Sequence, residues 1–446
     1  MAISGSARTL AVVGVVAALV AACTSHGSAP TTSSPPPAGS SGPTAPTSAP
    51  ASAASTSSAA SPRPTGPPAA GGVAFKAQPC YVHLPTAWQA ALHQGRLWRD
   101  VADAHPTGTP APQGTGVLFQ SDQGTVSHIG FVGRNHRVVE NIGTVSNPQR
   151  QGQLGFSSVT AAYAAFVYHP VNGDAASWRW QLYLWDRQAR VLDRVASNPV
   201  DKSGNPLHSG FVQPVLTADY LYWIEAAPDT TGWGGSELVQ YALATHQKRV
   251  LYRGLTESFV PYGSMVLYTG IVAHPPRPSP ADSNGPPQRM YAVDQASGKP
   301  VPVPPGITAA VDHPNTMVSN GDLVVWSTDL VIRAWRPGWG RSITLVPSGG
   351  EWPEGSRLGI SGPVYPRLYK HFLVWNSGAT FVLDLLTDTF AELDPPDHAG
   401  GEDLSGSILA LQPSTNVSSN TAAPTHAYDQ YLINLATLPG LARCGA

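Results

Sequence analysis

The chain has 446 residues, a formal net charge of -2 and only 12% charged residues, with 44 Gly and 44 Pro. Neither sign of charge dominates, so nothing in the composition points to the basic surface of a nucleic-acid binder or to a polybasic membrane patch. The length would divide into two or three average domains, although β-rich single domains often exceed that size.

At the N-terminus a lone basic residue, Arg8, precedes an uncharged stretch from Thr9 to Ala22 that runs up to Cys23. The stretch is too short to span a bilayer comfortably and is built like the apolar region of a signal peptide. Its ending, LVAAC at 19–23, resembles a bacterial lipobox. The resemblance implies that residues 1–22 are removed and that Cys23 is acylated with palmitate-type chains and heads the mature protein. The other reading is an ordinary secretory signal with an incidental Cys. Two or more acyl chains give stable anchoring where one gives marginal binding.

Residues 24–72 are Ser, Thr, Pro, Ala and Gly apart from His26 and Arg63. So little apolar surface cannot offset chain ordering, and residues 23–72 are expected to form a disordered tether. At full polyproline extension it would reach on the order of 150 Å. The layout resembles lipoproteins of high-GC Gram-positive bacteria, which implies a folded domain, 73–446, held at the extracytoplasmic face of the cell membrane. Cys80 and Cys444 lie near the two ends of that domain. An exported compartment permits a disulfide between them; two buried free thiols are the alternative.

The stretch LPTAWQAALHQGRLW at 84–98 reads as a short helix. Thr86 and Gln89 suit a capping box, Trp88, Ala91 and Leu92 share one face, and Gly95 ends it. Beyond it the chain repeats itself. MYAVDQASGKPV at 290–301 is an apolar run, a polar turn and a second apolar run. The same shape returns at 129–139, 182–192, 239–251, 331–346, 380–393 and 430–441. Each copy is a hairpin signature. Upstream of each stands an apolar triplet that usually ends in an aromatic, at Phe119, Tyr168, Trp223, Tyr268, Trp326, Trp375 and, without the aromatic, Ala410. A further strand-like stretch often precedes the triplet, as in ESFVPY and NTMVS. Four short strands per unit of about 50 residues, seven times over, predict an all-β fold, a β-propeller of seven four-stranded blades. Six or eight blades stay open, because the first and last copies are the weakest. The last copy has little chain left for an outer strand, and residues 73–84 are expected to supply it, with a Cys80–Cys444 bridge closing the ring.

The segment Ala292–Lys299, with Asp294 before the turn and Gly298 in it, resembles the TolB-type or PQQ-enzyme-like propeller repeat. The likeness covers roughly residues 115–440 and carries no catalytic residue. The Trp that usually follows in the PQQ-type repeat is replaced here by the Pro-rich run from Pro300 to Pro305.

No sequence motif for a nucleotide, phosphate or zinc is present, and no cofactor or metal is expected. The 14 His are scattered through the loops, with no pair at ligand spacing. Several loops are long, and long loops in compact domains are often functional, though they are also tolerated insertions. They carry Trp178 and Trp233 with Asp174 and Asp229, joined by Glu351 and Trp352 from a segment between blades. Flat aromatics with acidic neighbours suit sugar faces and also protein hot spots. These six residues are the candidate binding surface. Trp339, on a hairpin tip, is expected to open on the other face. The expected function is a lipid-anchored, non-catalytic binding or scaffolding module for another envelope protein or a glycan. The alternatives are a carbohydrate-active hydrolase or lyase and, third, a quinone-dependent dehydrogenase.

Overall fold

The computed structural model describes residues 79–98, 104–134, 137–171, 179–207, 212–228, 235–271, 288–307, 310–311, 314, 316–328, 331–346, 365–376, 379–393, 399–413 and 430–444. Their strands form seven antiparallel sheets in chain order, at 104–146, 153–197, 215–254, 259–301, 316–346, 367–393 and 399–434. The molecule is a seven-bladed β-propeller, and these sheets are numbered below as blades 1 to 7.

The apolar triplets fall on the second strand of every blade, from Val117–Gln123 in blade 1 to Ile408–Pro413 in blade 7. Where such a strand is covered on both faces it is apolar, and its two-residue period divides the side chains between two neighbours. In blade 6, Leu373 and Trp375 pack toward blade 5, while Phe372 and Val374 pack toward blade 7. Phe119, Tyr168, Trp223, Tyr268, Trp326 and Trp375 all turn toward the preceding blade. Blade 7 departs from the expected register by one residue. Leu411 faces blade 6 there, whereas Ala410 faces blade 1. In this blade no aromatic marks the position, and Leu411 rather than Ala410 fills the place that the aromatics take elsewhere.

The core is therefore seven separate interfaces, one between each pair of neighbouring blades. The seam between blades 7 and 1 is lined by Leu97, Val117, Phe119, Val132, Ile408, Ala410 and Leu432. Among the described residues Phe119 is its one aromatic.

The hairpin Asp has a backbone role. Asp294 accepts from the amide and hydroxyl of Ser297, both at 2.7 Å, and these bonds hold its carboxyl below the usual carboxylate range. Asp186 likewise accepts from the amides of Gln188 and Ala189. Four residues after the turn begins, the backbone enters the left-handed region, where Gly298 has φ 70° and Arg190, His246 and Asp388 have φ 57°, 57° and 59°.

Ring closure differs from the expectation. Blade 7 receives its outer strand from Arg96–Trp98, which pairs antiparallel with Gln430–Asn434. The earlier segment, Cys80–Tyr81, lies instead along the outer strand of blade 6, parallel to it, with Cys80 opposite Thr389 and Tyr81 opposite Phe390. The helix Thr86–Gly95 carries the chain from one blade to the next and plugs the interface between them with Trp88 and Leu92. Its capping box does not form: Pro85 is the cap residue, and the Gln89 amide donates to Leu84 O instead. Gly95 is the last helical residue and lies against blade 7, where a Cβ would meet Leu432 O at 2.2 Å.

The C-terminal tail is fastened to the same corner. Trp88 Nε1 donates to Pro439 O at 3.0 Å, and the fully buried Asp384 accepts from Leu441 N at 2.8 Å. Cys80 and Cys444 form a disulfide with their Cα atoms 6.3 Å apart. The bridge closes a loop of 364 residues, for which the chain-entropy relation gives roughly 6 kcal/mol as an upper figure. Replacing Cys444 by Ser should lower the denaturant midpoint by a stability loss of about 2–5 kcal/mol. The loss should be matched by reductant acting on the wild type. An unchanged midpoint in both would show that the bridge does not secure the ring.

Candidate functional site at the channel mouth

The first strand of each blade lines the axial channel. In blades 6, 7, 1 and 2 these strands carry Arg367, Asp403, Thr109 and Ser157. The four form one chain of polar contacts across the closure seam. Arg367 Nε donates to Asp403 Oδ1 at 3.2 Å, and Thr109 Oγ1 contacts both Asp403 Oδ2 and Ser157 Oγ, the latter at 2.5 Å. Farther along, Ser405 Oγ of blade 7 donates to Val159 O of blade 2 at 2.8 Å, and Ser158 Oγ accepts from Leu216 N of blade 3 at 3.0 Å. Channel hydroxyls and the Arg367–Asp403 pair thus tie blades together.

The channel opens into a cavity of about 910 Å³ at the end where the first-to-second-strand turns emerge. Blades 2, 3, 5, 6 and 7 contribute to its wall. The basic side chains on it are Arg336, Lys370 and His371, and the acidic one among the described residues is Asp322. Arg336 sits over the Trp339 ring at 5.8 Å and Lys370 over the Tyr369 ring at 5.3 Å. Four cations elsewhere among the described residues are paired with carboxylates, in Arg187–Glu140, Lys248–Glu225, Arg253–Glu237 and Arg367–Asp403, while others such as Arg134 and Arg249 donate to backbone carbonyls. Lys370 also has φ 50° in a two-residue turn, Tyr369 to Phe372. The matching turns of blades 4 and 7 place Gly263 and Gly406 there, both at φ 57°. A side chain in that conformation costs on the order of 1–3 kcal/mol. The turn is braced by Asn320 of blade 5, whose Nδ2 donates to Lys370 O at 2.6 Å.

Trp178, Trp233, Trp352, Asp174, Asp229 and Glu351 are all outside the described residues, as is Cys23. The cavity was not anticipated, and its signal in the sequence was slight: a Lys in a turn position that other repeats give to Gly. Trp339 is not a free hairpin tip. It is half-buried against the cores on both sides of blade 5, and its carbonyl lies where a Cβ on Gly306 would come within 2.2 Å.

Two carboxylates stand opposite each other in blade 3, Glu225 and Glu237. Both are buried, and Lys248 and Arg253 neutralise them at 2.6 Å each. Trp223 Nε1 donates to Glu225 as well, at 2.8 Å. That arrangement serves packing. Burial also pushes the Tyr168 and Tyr268 hydroxyls up to about 12, leaving them neutral within the interblade cores. Among the described residues no group of three His, Cys, Asp or Glu is placed to hold a metal ion.

No family model matches the chain. No curated protein matches its sequence at a significant level. Among solved structures, the chain is similar to one of two prolyl endopeptidases at 12% identity and TM-score 0.45, over 79% of this chain and 49% of that one. It is also similar to an oligogalacturonate lyase in complex with manganese, at 10% identity and TM-score 0.44, over 81% and 98% of the two chains. A third is the β-propeller domain of the Trilobed protease from Pyrococcus furiosus, at 8% identity and TM-score 0.46, over 75% and 94%. The chain spans about half the length of the prolyl endopeptidase. These likenesses concern the propeller fold.

Asp403 is the branch point of the channel network, accepting from Arg367 on one side and Thr109 on the other. Both charged side chains are partly open to solvent, at 24% for Arg367 and 20% for Asp403. Asp403→Asn should therefore cost about 1–2 kcal/mol in a urea titration, less than a fully buried ion pair would. A variant as stable as the wild type would remove the network from the account of the seam.

Proposed function

We propose that this chain is a lipid-anchored, extracytoplasmic binding or scaffolding module that holds its propeller out from the cell membrane to engage another envelope component, a glycan or a protein. The observation that carries this reading is the walled cavity at the channel mouth. It is a concave surface built from the turns of five blades, and it presents cations, hydroxyls and an amide beside aromatic faces. Its volume lies within the range of small-ligand sites. Compartment and anchor rest on separate support. The Cys80–Cys444 bridge suits an oxidising compartment. The lipobox-like run before Cys23 and the Pro-rich tether after it suit attachment to a membrane.

Two measurements test the reading. Wild-type chain should fractionate with membranes and carry an acyl mass on Cys23, and Cys23→Ala should move it to the medium; cleavage elsewhere without an acyl mass would end the anchor. Incubated with fragments of envelope glycan, the full chain should bind them and leave their masses unchanged. New reducing ends or unsaturated ends would instead establish the carbohydrate hydrolase or lyase that the glycan reading competes with.

A further inference from the structure

We infer that the channel mouth is a site for anionic glycan fragments, with Arg336 and Lys370 as the groups that recognise the charge. The inference rests on the binding-module reading and names the ligand class for its cavity. Three observations carry it. First, among the described residues neither Arg336 nor Lys370 has a carboxylate within ion-pair distance, although the chain pairs its cations at four other places. Second, the charged groups of both cations sit over aromatic rings, Arg336 over Trp339 and Lys370 over Tyr369, which orients them on the cavity wall without neutralising their charge. Third, Lys370 occupies a left-handed turn position that blades 4 and 7 give to glycine. Backbone strain tolerated at a cavity wall points to a use for that side chain.

The cavity also supplies what a polyhydroxylated ligand requires. Ser319 and Asn320 stand on the blade 5 turn beside Tyr369 and His371 on the blade 6 turn. The Asn320–Lys370 hydrogen bond fixes the two turns relative to each other, so the site is formed before ligand arrives. Carboxylate and phosphate groups both match paired cations, Arg336 through its planar fork and Lys370 as a point charge. The shared chemistry is a sugar or polyol chain bearing one of these anions.

The test is calorimetric titration of the full chain carrying Cys23→Ala with three probes. They are a hyaluronan tetrasaccharide, which bears carboxylates, a glycerol phosphate trimer, and neutral maltotetraose. At least one anionic probe should bind ten-fold or more tightly than maltotetraose and weaken as salt rises, and comparing the two anions identifies the source. Lys370→Gly should lose ten-fold or more of that affinity while its thermal midpoint stays level or rises, because glycine relieves the turn. Arg336→Gln should lose a similar factor. Equal binding of neutral and anionic probes, no binding of either anion, or unchanged affinity in both variants would overturn the inference. So would a drop in the Lys370→Gly midpoint, since the strained turn would then serve folding. Retention of neutral envelope glycans without turnover alongside those failures would leave the binding-module reading standing.

Discussion

The structure depends on how the third strand of blade 7 is covered. That strand, Gln430–Asn434, would otherwise present a row of unpaired amides and carbonyls along its outer side. Arg96–Trp98 supplies the missing ladder, and Leu97 from the same strand joins the interface between blades 7 and 1. Among the described residues that interface holds one aromatic ring, whereas others are filled by several, such as Tyr222, Phe259 and Tyr268 between blades 3 and 4. Closure therefore rests less on packing at the seam than on fastening around it. Trp88 under the tail, Asp384 capping Leu441 and the Cys80–Cys444 bridge all act at that corner.

Closure also decides what the channel can present. Arg367 and Asp403 belong to neighbouring blades, as do Thr109 and Ser157, and the two pairs meet through Thr109 and Asp403 only when the ring is shut. Their mutual contacts leave the mouth as the place where polar groups remain available. The turns there are short, and the cations on them are carried by rigid hairpins rather than by long loops. Sites on rigid elements hold their geometry better than sites on loops.

The blade pattern was legible because its signal is repetitive and local. An aromatic that must fill the preceding interface recurs on the second strand, and a polar turn with Asp at its start recurs on the hairpin. Both follow from constraints that each blade faces alone. Where the marker was missing, the reading slipped: Ala410 was aligned with the aromatics although Leu411 does their work. The end pairing of Cys80 with Cys444 was legible from placement, but the closing strand was not. Residues 80–81 and 96–98 are both short and β-prone, and the choice between them is made by the helix that carries the chain across one blade. Likewise the capping box at Thr86 gave way to Pro85, where the chain already had its fixed entry angle. The cavity at the mouth was the least visible. It assembles short turns from blades 2, 3, 5, 6 and 7, none forming a motif, while Trp178, Trp233 and Trp352 of the long connections lie outside the described residues.

The central claim is that a segment from the start of the domain closes the ring, and that the disulfide secures it there. Hydrogen exchange measured residue by residue, before and after reduction of the bridge, tests this directly. Reduction should raise exchange at the amides of 96–98 and 430–434, and at Cys80 and Val82, which donate to Asp388 and Phe390. The second and third strands of blades 3 and 4 should keep their protection. Protection unchanged at 96–98 and 430–434, or lost evenly across all seven blades, would contradict the account.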